Sequence, residues 1–349
     1  MMTKFGNRAR RVIAFGATAL LAAACGGGGG GGAGGGEGLT GSVVISGSST
    51  VEPISVAVAE KFVAANPEVA IDVTGPGTGD GFELFCNGET DISDASRAID
   101  TKEEVPVCKK NGIEFIELKV GIDGLSVITS PENDQVDCLD FKDLYALLGI
   151  ESEGFDRWSD ADDLGEELGA GNVPYPDAPL EITAPGEESG TYDSFVEIVL
   201  EGIAVDERGR PEDGPFVRPD YQASANDSVI IDGIGGSPTS LGWVGYAFYV
   251  QNPDAVKALP IADGNGGECV EPTPETISSG EYPIARDLFI YVNKAKLEES
   301  EALRAYVDLY LSEEGIASVN EVGYVDLAEE DLAATREVWE SEETGTREG

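Results

Sequence analysis

SVVISGSSTVEPISVAVAEKFVAAN, residues 42–66, places an apolar run, a loop of glycine and hydroxyls, and a helix-compatible run in immediate succession. The stretch predicts a strand over 42–46, the loop Gly47-Ser48-Ser49-Thr50, and a helix over 53–66. A donor-rich loop that opens a helix is a seat for an anion, because unpaired backbone N–H groups and the positive end of the helix dipole both face it.

The same order recurs. VAIDVTG (69–75) leads through PGTGDGF to a short helix around 82–87, and PLEITAPG (179–186) feeds ESGTYDSFVEIVL, whose later part reads as helical. DISDAS (91–96), IEFIEL (113–118), DGLSVITS (123–130), LGWVGYAFYV (241–250) and DLFIYVN (287–293) read as strands. LEESEALRAYVDLYLSEEG (297–315) is amphipathic at the helical period. Strands alternating with helices predict α/β domains with mainly parallel sheets. In such sheets ligands sit beyond the carboxyl ends of strands, at helix starts.

Residues 1–24 read as an export signal: basic MMTKFGNRARR, then apolar VIAFGATALLAAA, which is too short to span a bilayer. Cys25 at the cleavage point reads as the lipidated first residue of a lipoprotein, although Ala22 stands where leucine is usual. A plain secretory signal with a chance cysteine is the alternative, and Arg10-Arg11 also permits a twin-arginine route. GGGGGGGAGGGEG (26–38) is too rich in glycine to order and predicts a tether over 25–40. The remaining body, some 310 residues, has room for two domains.

The 349-residue chain carries 66 Asp plus Glu against 22 Lys plus Arg, and the signal takes four of those basic residues with it. Such acidity makes nucleic acid and anionic membrane poor partners, leaving contact with membrane to the lipid anchor, and it suits a saline habitat. Four cysteines remain after Cys25, an even number in an exported protein, and they suggest two disulfides in one of three pairings. Proximity favours Cys86–Cys108, which leaves Cys138–Cys269. The chain has no histidine and no CxxC pair, so neither a metal site nor a cofactor is expected.

Three loops share the donor design: Gly47–Thr50, Gly75–Gly81 and Ser189-Gly190-Thr191. Each alone could be an ordinary helix cap; converging, they could strip water from a tetrahedral oxyanion and hold it. GPGTGDG lacks the lysine of a nucleotide-binding phosphate loop. DISDASR (91–97) adds Arg97, which can meet an oxyanion bidentately or form a salt bridge with a nearby Asp. SAND (224–227) is the last polar turn of interest.

In this order, SGSSTVEP, GTGDGFELFCNGETDISDASRAI, DGLSVITSPEN, RWSD, ESGTYDSF, ASANDSV with LGWVGYAFY, and YPIARDLFIYVN resemble the phosphate-binding lipoproteins of Pst-type ABC phosphate importers. The resemblance covers nearly all of the mature chain. It implies the type II periplasmic binding protein fold, two α/β domains with a hinge and a central ligand cleft. The implied division is 41–128 with 256–349 as domain 1 and 129–255 as domain 2, crossing near residues 128 and 255, with Cys138 and Cys269 near the hinge. The implied phosphate ligands are Ser49, Thr50 and the Val51 N–H; Thr78 with Gly79; Ser96 and Arg97; and Ser189, Gly190 and Thr191. Asn226 would stand near the cleft.

Two departures from the family pattern bear on the ligand. Pro185 stands where many members carry an arginine, which leaves Arg97 as the expected cation. Ser96 stands where a carboxylate often accepts the proton of phosphate, so Asp80 or Asp94 would have to substitute. The resemblance further implies a monomer on the outer face of the cell membrane, or in the periplasm, that delivers inorganic phosphate to an ABC permease. The rivals are a binder of sulfate or molybdate, an adhesin or sensor that has kept the fold, and a secreted phosphatase. The last is disfavoured because Ser189 lacks a GxSxG elbow and no histidine could complete a triad.

Overall fold

The computed structural model describes residues 38–187, 189–211, 214–264 and 267–347. The expected signal peptide, Cys25 and the expected tether up to residue 37 lie outside the described residues.

β1 (Gly41–Gly47) runs into α1 (Glu52–Ala65). Ile54, Val58 and Phe62 recur at one-turn spacing on the buried face of α1 and join Val43 and Ile45 of β1 in one cluster. Pro53 falls in the first helical turn, where a missing N–H breaks no bond. β2 (Val69–Thr74), α2 (Thr78–Cys86) and β3 (Ile92–Ala95) follow, and β2 and β3 flank β1 in parallel. The first turn of α2 lies on the end of β1. A methyl group on Gly81 would stand 2.4 Å from the Gly47 Cα, and one on Gly47 would stand 2.0 Å from the Asp94 carbonyl oxygen, so only glycine allows this approach.

α3 (Glu104–Lys110) leads to β4 (Phe115–Thr129), a strand of 15 residues. Then come β5 (Leu139–Asp140), α4 (Phe141–Leu148), α5 (Asp162–Leu168), β6 (Thr183–Ala184), α6 (Gly190–Phe195), β7 (Gln222–Ala223) and α7 (Asp227–Gly235). They are followed by β8 (Leu241–Gly245), α8 (Tyr246–Gln251), β9 (Lys257–Ala258), β10 (Ile261–Ala262) and α9 (Pro274–Ser278). β11 (Ala285–Asn293) returns to the first sheet ahead of α10 (Lys294–Glu299), α11 (Glu301–Tyr310), α12 (Glu313–Glu321) and α13 (Glu329–Ser341). No helix among the described residues is long and apolar enough to cross a membrane.

The strand order is β2-β1-β3-β11-β4-β8, with β9 also on β4. Only the β2-β1-β3 part of this sheet is parallel; β11 enters antiparallel between β3 and β4, and β8 and β9 pair antiparallel with β4. The sheet is therefore mixed, because β4 leaves the first sheet region and β11 comes back to it in the opposite direction. β4 changes partner in mid-course: residues 115–124 pair with β11, and 125–129 pair with β8. Lys257 and Ala258, just past the return expected near residue 255, pair with the far end of β4, and β11 begins at Ala285.

A large buried cluster lies at each end of β4. Ile116, Leu118 and Val120 belong to the cluster under α1 and α11; Ile122, Leu125 and Val127 belong to the one built on Tyr145, Trp158, Phe195 and Trp243. Phe195 stacks on Trp243 at 4.2 Å between ring centroids. The disulfides pair Cys86 with Cys108, tying α2 to α3, and Cys138 with Cys269, beside the β5–β10 ladder.

Candidate ligand-binding cleft

The start of α1 and the start of α6 meet across a seam. Ser48 organises the first: its hydroxyl accepts from the Thr50 and Val51 N–H groups at 3.2 and 3.4 Å. The Val51 N–H, expected to face a ligand, is thus turned onto Ser48, and the Ser49 and Thr50 hydroxyls cross the seam instead. Ser49 Oγ donates to Asp193 Oδ2 at 3.1 Å, and Thr50 Oγ1 lies 3.4 Å from Ser194 Oγ. On the α6 side Ser189 is the N-cap, its hydroxyl accepting from the Thr191 N–H at 3.2 Å. Gly190 lies beside the first loop, where an added Cβ would make ordinary contact at 3.6 Å from the Ser49 carbonyl oxygen. Two of the three expected loops, 140 residues apart in sequence, therefore stand side by side.

The cation at this seam is Arg286, at the start of β11, with a side chain only 13% exposed. Its Nη2 donates to Thr50 Oγ1 at 3.0 Å and to Ser194 Oγ at 2.7 Å, while Nη1 pairs with Glu197. Its Nε stands 3.5 Å from Asp123 Oδ2, and neither atom has a hydrogen-bond partner among the described residues. Asp123 sits directly opposite on β4 in the strand register. Burial pushes the Asp123 carboxyl up, against the pull of Arg286. Burial also raises Asp193, partly offset by its hydrogen bond from Ser49.

Arg286 also lines a cavity of about 700 Å³ with the third loop. Thr78, Gly79, Asp80, Ser96 and Arg97 line it together with Glu197, Ile198 and Glu201. Thr78 Oγ1 and Ser96 Oγ are 3.0 Å apart, and the Ser96 N–H reaches Thr78 Oγ1 at 3.3 Å. Glu197 and Ile198 lie on a continuation of α6 through wide, π-type turns over Val196–Leu200, which resume at Ile203–Glu207.

Of the charged residues expected at the site, Arg97 and Asp80 line this cavity and Asp94 is not among its lining residues. Arg97 lines the cavity but is 47% exposed, clamped bidentately by Glu104 at 2.9 and 2.7 Å, with its guanidinium over the Phe82 ring. Its fork is filled by Glu104, the first residue of α3, where the ion-pair reading of the sequence expected an aspartate. Asp94 is 0% exposed beneath α1: Oδ1 accepts from Ser55 Oγ at 3.0 Å, and Oδ2 has no partner among the described residues. Burial lifts its carboxyl to about 7. Asp80 is exposed on the cavity wall. Asn226 caps α7 on the surface, accepting from the Ser228 N–H at 2.9 Å.

Sequence reading passed over Arg286, Asp123, Asp193, Ser194 and Glu197. The available signal was a lone basic residue beginning the apolar strand ARDLFIYVN and a lone acid inside KVGIDGLSVIT, both odd in strands buried on two faces.

A family model for the PBP superfamily domain matches residues 33–314. Protein SphX of Synechocystis sp. is 36% identical over 291 residues, covering 83% of this chain and 79% of that protein. The phosphate-binding protein PstS of Staphylococcus aureus is 35% identical over 287 residues, covering 82% of this chain and 79% of that protein. The crystal structure of a possible phosphate binding protein from Planctomyces limnophilus is 36% identical, with a TM-score of 0.77 and coverage of 87% of this chain and 99% of that one.

Proposed function

The chain belongs to the PBP superfamily, alongside the PstS and SphX proteins, and from that premise we propose that it is an extracytoplasmic solute-binding protein that captures inorganic phosphate and delivers it to an ABC permease. The observation that carries this reading is Arg286. A buried guanidinium joined to Thr50 and Ser194 across two helix starts offers an oxyanion what a highly acidic surface cannot: charge and oriented donors at short range. Distant surface acids count little against it because salt screens them within about 10 Å. The wall formed by Thr78, Gly79 and Ser96 adds further donors.

Asp123 and Asp193 are the carboxylates best placed to favour phosphate, in place of Asp80 or Asp94. A carboxylate beside the seat accepts the O–H of protonated phosphate and repels sulfate, which has none to give. Closure is proposed to hinge where the chain crosses, at Gly124–Leu125 in β4 and at Ile284–Ala285. Residues 41–124 and 285–347 then form one domain and 125–284 the other, each around its own buried cluster. Cys25 is proposed to anchor the monomer by lipid through the glycine-rich tether.

Calorimetric titration with phosphate and with sulfate tests the reading. Phosphate is expected to bind and sulfate to bind far more weakly. Absence of phosphate binding overturns the proposal, and equal affinities would reassign the cleft to oxyanions in general.

A further inference from the structure

A guanidinium as buried as Arg286 needs an anion against it. Asp123 cannot leave: it is 1% exposed, fixed in the middle of β4. Asp193 is held by Ser49 across the seam. Glu197 differs from both. It contacts Arg286 Nη1 directly, yet its side chain is 49% exposed, it stands on the wall of the cavity that Arg286 also lines, and it belongs to the wide-turn stretch after α6. Among Asp123, Asp193 and Glu197, it is the carboxylate that can swing into solvent without unfolding a strand or breaking the seam.

Resting on the reading of the cleft as an oxyanion seat, we propose that Glu197 is a displaceable counter-ion that sets the affinity and the choice of anion. With no oxyanion bound it neutralises Arg286. An entering oxyanion takes over the Nη1 contact, because two anions held against one N–H group repel each other. Binding is therefore weakened by the fraction of molecules in which Glu197 holds the arginine. An anion that carries a proton can donate a hydrogen bond through it to the Glu197 carboxylate and share the arginine with it. An anion without one must drive the carboxylate out, so Glu197 discriminates by protonation from the movable side of the cleft.

The test is calorimetry of Glu197→Gln, nearly isosteric and uncharged, with phosphate and sulfate. The variant is expected to bind phosphate about tenfold more tightly or better, and to gain still more for sulfate, because a like charge leaves the seat. Unchanged or weaker phosphate affinity in Glu197→Gln, with the unaltered protein binding normally, overturns the proposal and leaves the proposed function standing. Glu201→Gln removes the same charge from the same cavity, and an equal gain there would also overturn it by reducing the effect to general electrostatics. The rise in melting temperature on adding phosphate supplies the readout that a purely structural role would not enlarge. Ligand-free Glu197→Gln should melt lower than the unaltered protein yet rise further on adding phosphate; a fall in both overturns the proposal. If the unaltered protein binds neither anion, the oxyanion seat and this inference fall together.

Discussion

At the scale of single residues, charge is decided by neighbours rather than by residue type. Arg97 and Arg286 are both arginines beside hydroxyls, but Glu104 occupies the fork of one while the other bridges the cleft. Arg286→Ala is therefore expected to weaken phosphate binding at least about 100-fold, the scale of two charged hydrogen bonds. Arg97→Ala should cost less than about threefold, as for an exposed ion pair. Titration calorimetry on both variants checks the order, and the reverse order would move the seat to Arg97. Asp94 makes a separate prediction. Its carboxyl, near 3.8 in an unfolded chain, is lifted to about 7 by burial. Between those values the folded protein keeps a proton that the unfolded chain has released, so stability falls as pH rises from about 4 to about 7 and is level above, by up to about 4 kcal/mol. Asp94→Asn should flatten much of that slope in denaturant titrations from pH 4.5 to 8. Asp123 and Asp193, also raised, keep the remainder.

At the scale of elements, the strand–loop–helix units were legible because their causes are local. β1, the Gly47–Thr50 loop and α1 follow from an apolar run, a glycine and hydroxyl loop, and apolar residues one turn apart. The sequence divides β4 into two strands, IEFIEL and DGLSVITS, because KVGI between them carries no mark of continuing. Its neighbours decide: β11 pairs with nine of its first ten residues and β8 with its last five. The tight contact of α2 on β1 gives a further prediction. Gly81→Ala must move Gly47, whose Cα would stand 2.4 Å from the new carbon, and should destabilise by about 1–3 kcal/mol. A thermal melt checks this. An unchanged midpoint would mean that α2 can retreat without loss, and phosphate binding would be expected to stay intact with it.

At the scale of the whole molecule, the disulfides were reachable by proximity and subtraction, and their effects should differ. In the chain-entropy account, closing a separation of 131 residues stabilises by about 5 kcal/mol and closing one of 22 by about 3. Replacing Cys138 and Cys269 by serine should therefore lower the urea midpoint more than replacing Cys86 and Cys108. The sequence by itself determined the α/β class, the family resemblance and the donor loops, because periodicity, loop composition and motif order are local or linear properties. Only the tertiary structure decided which loops meet and which charge serves them. Arg286, Asp123 and Glu197 come from β11, β4 and the extension of α6, segments up to 163 residues apart. Burial, which makes a guanidinium seek an anion and a carboxyl keep its proton, exists only once those segments have packed.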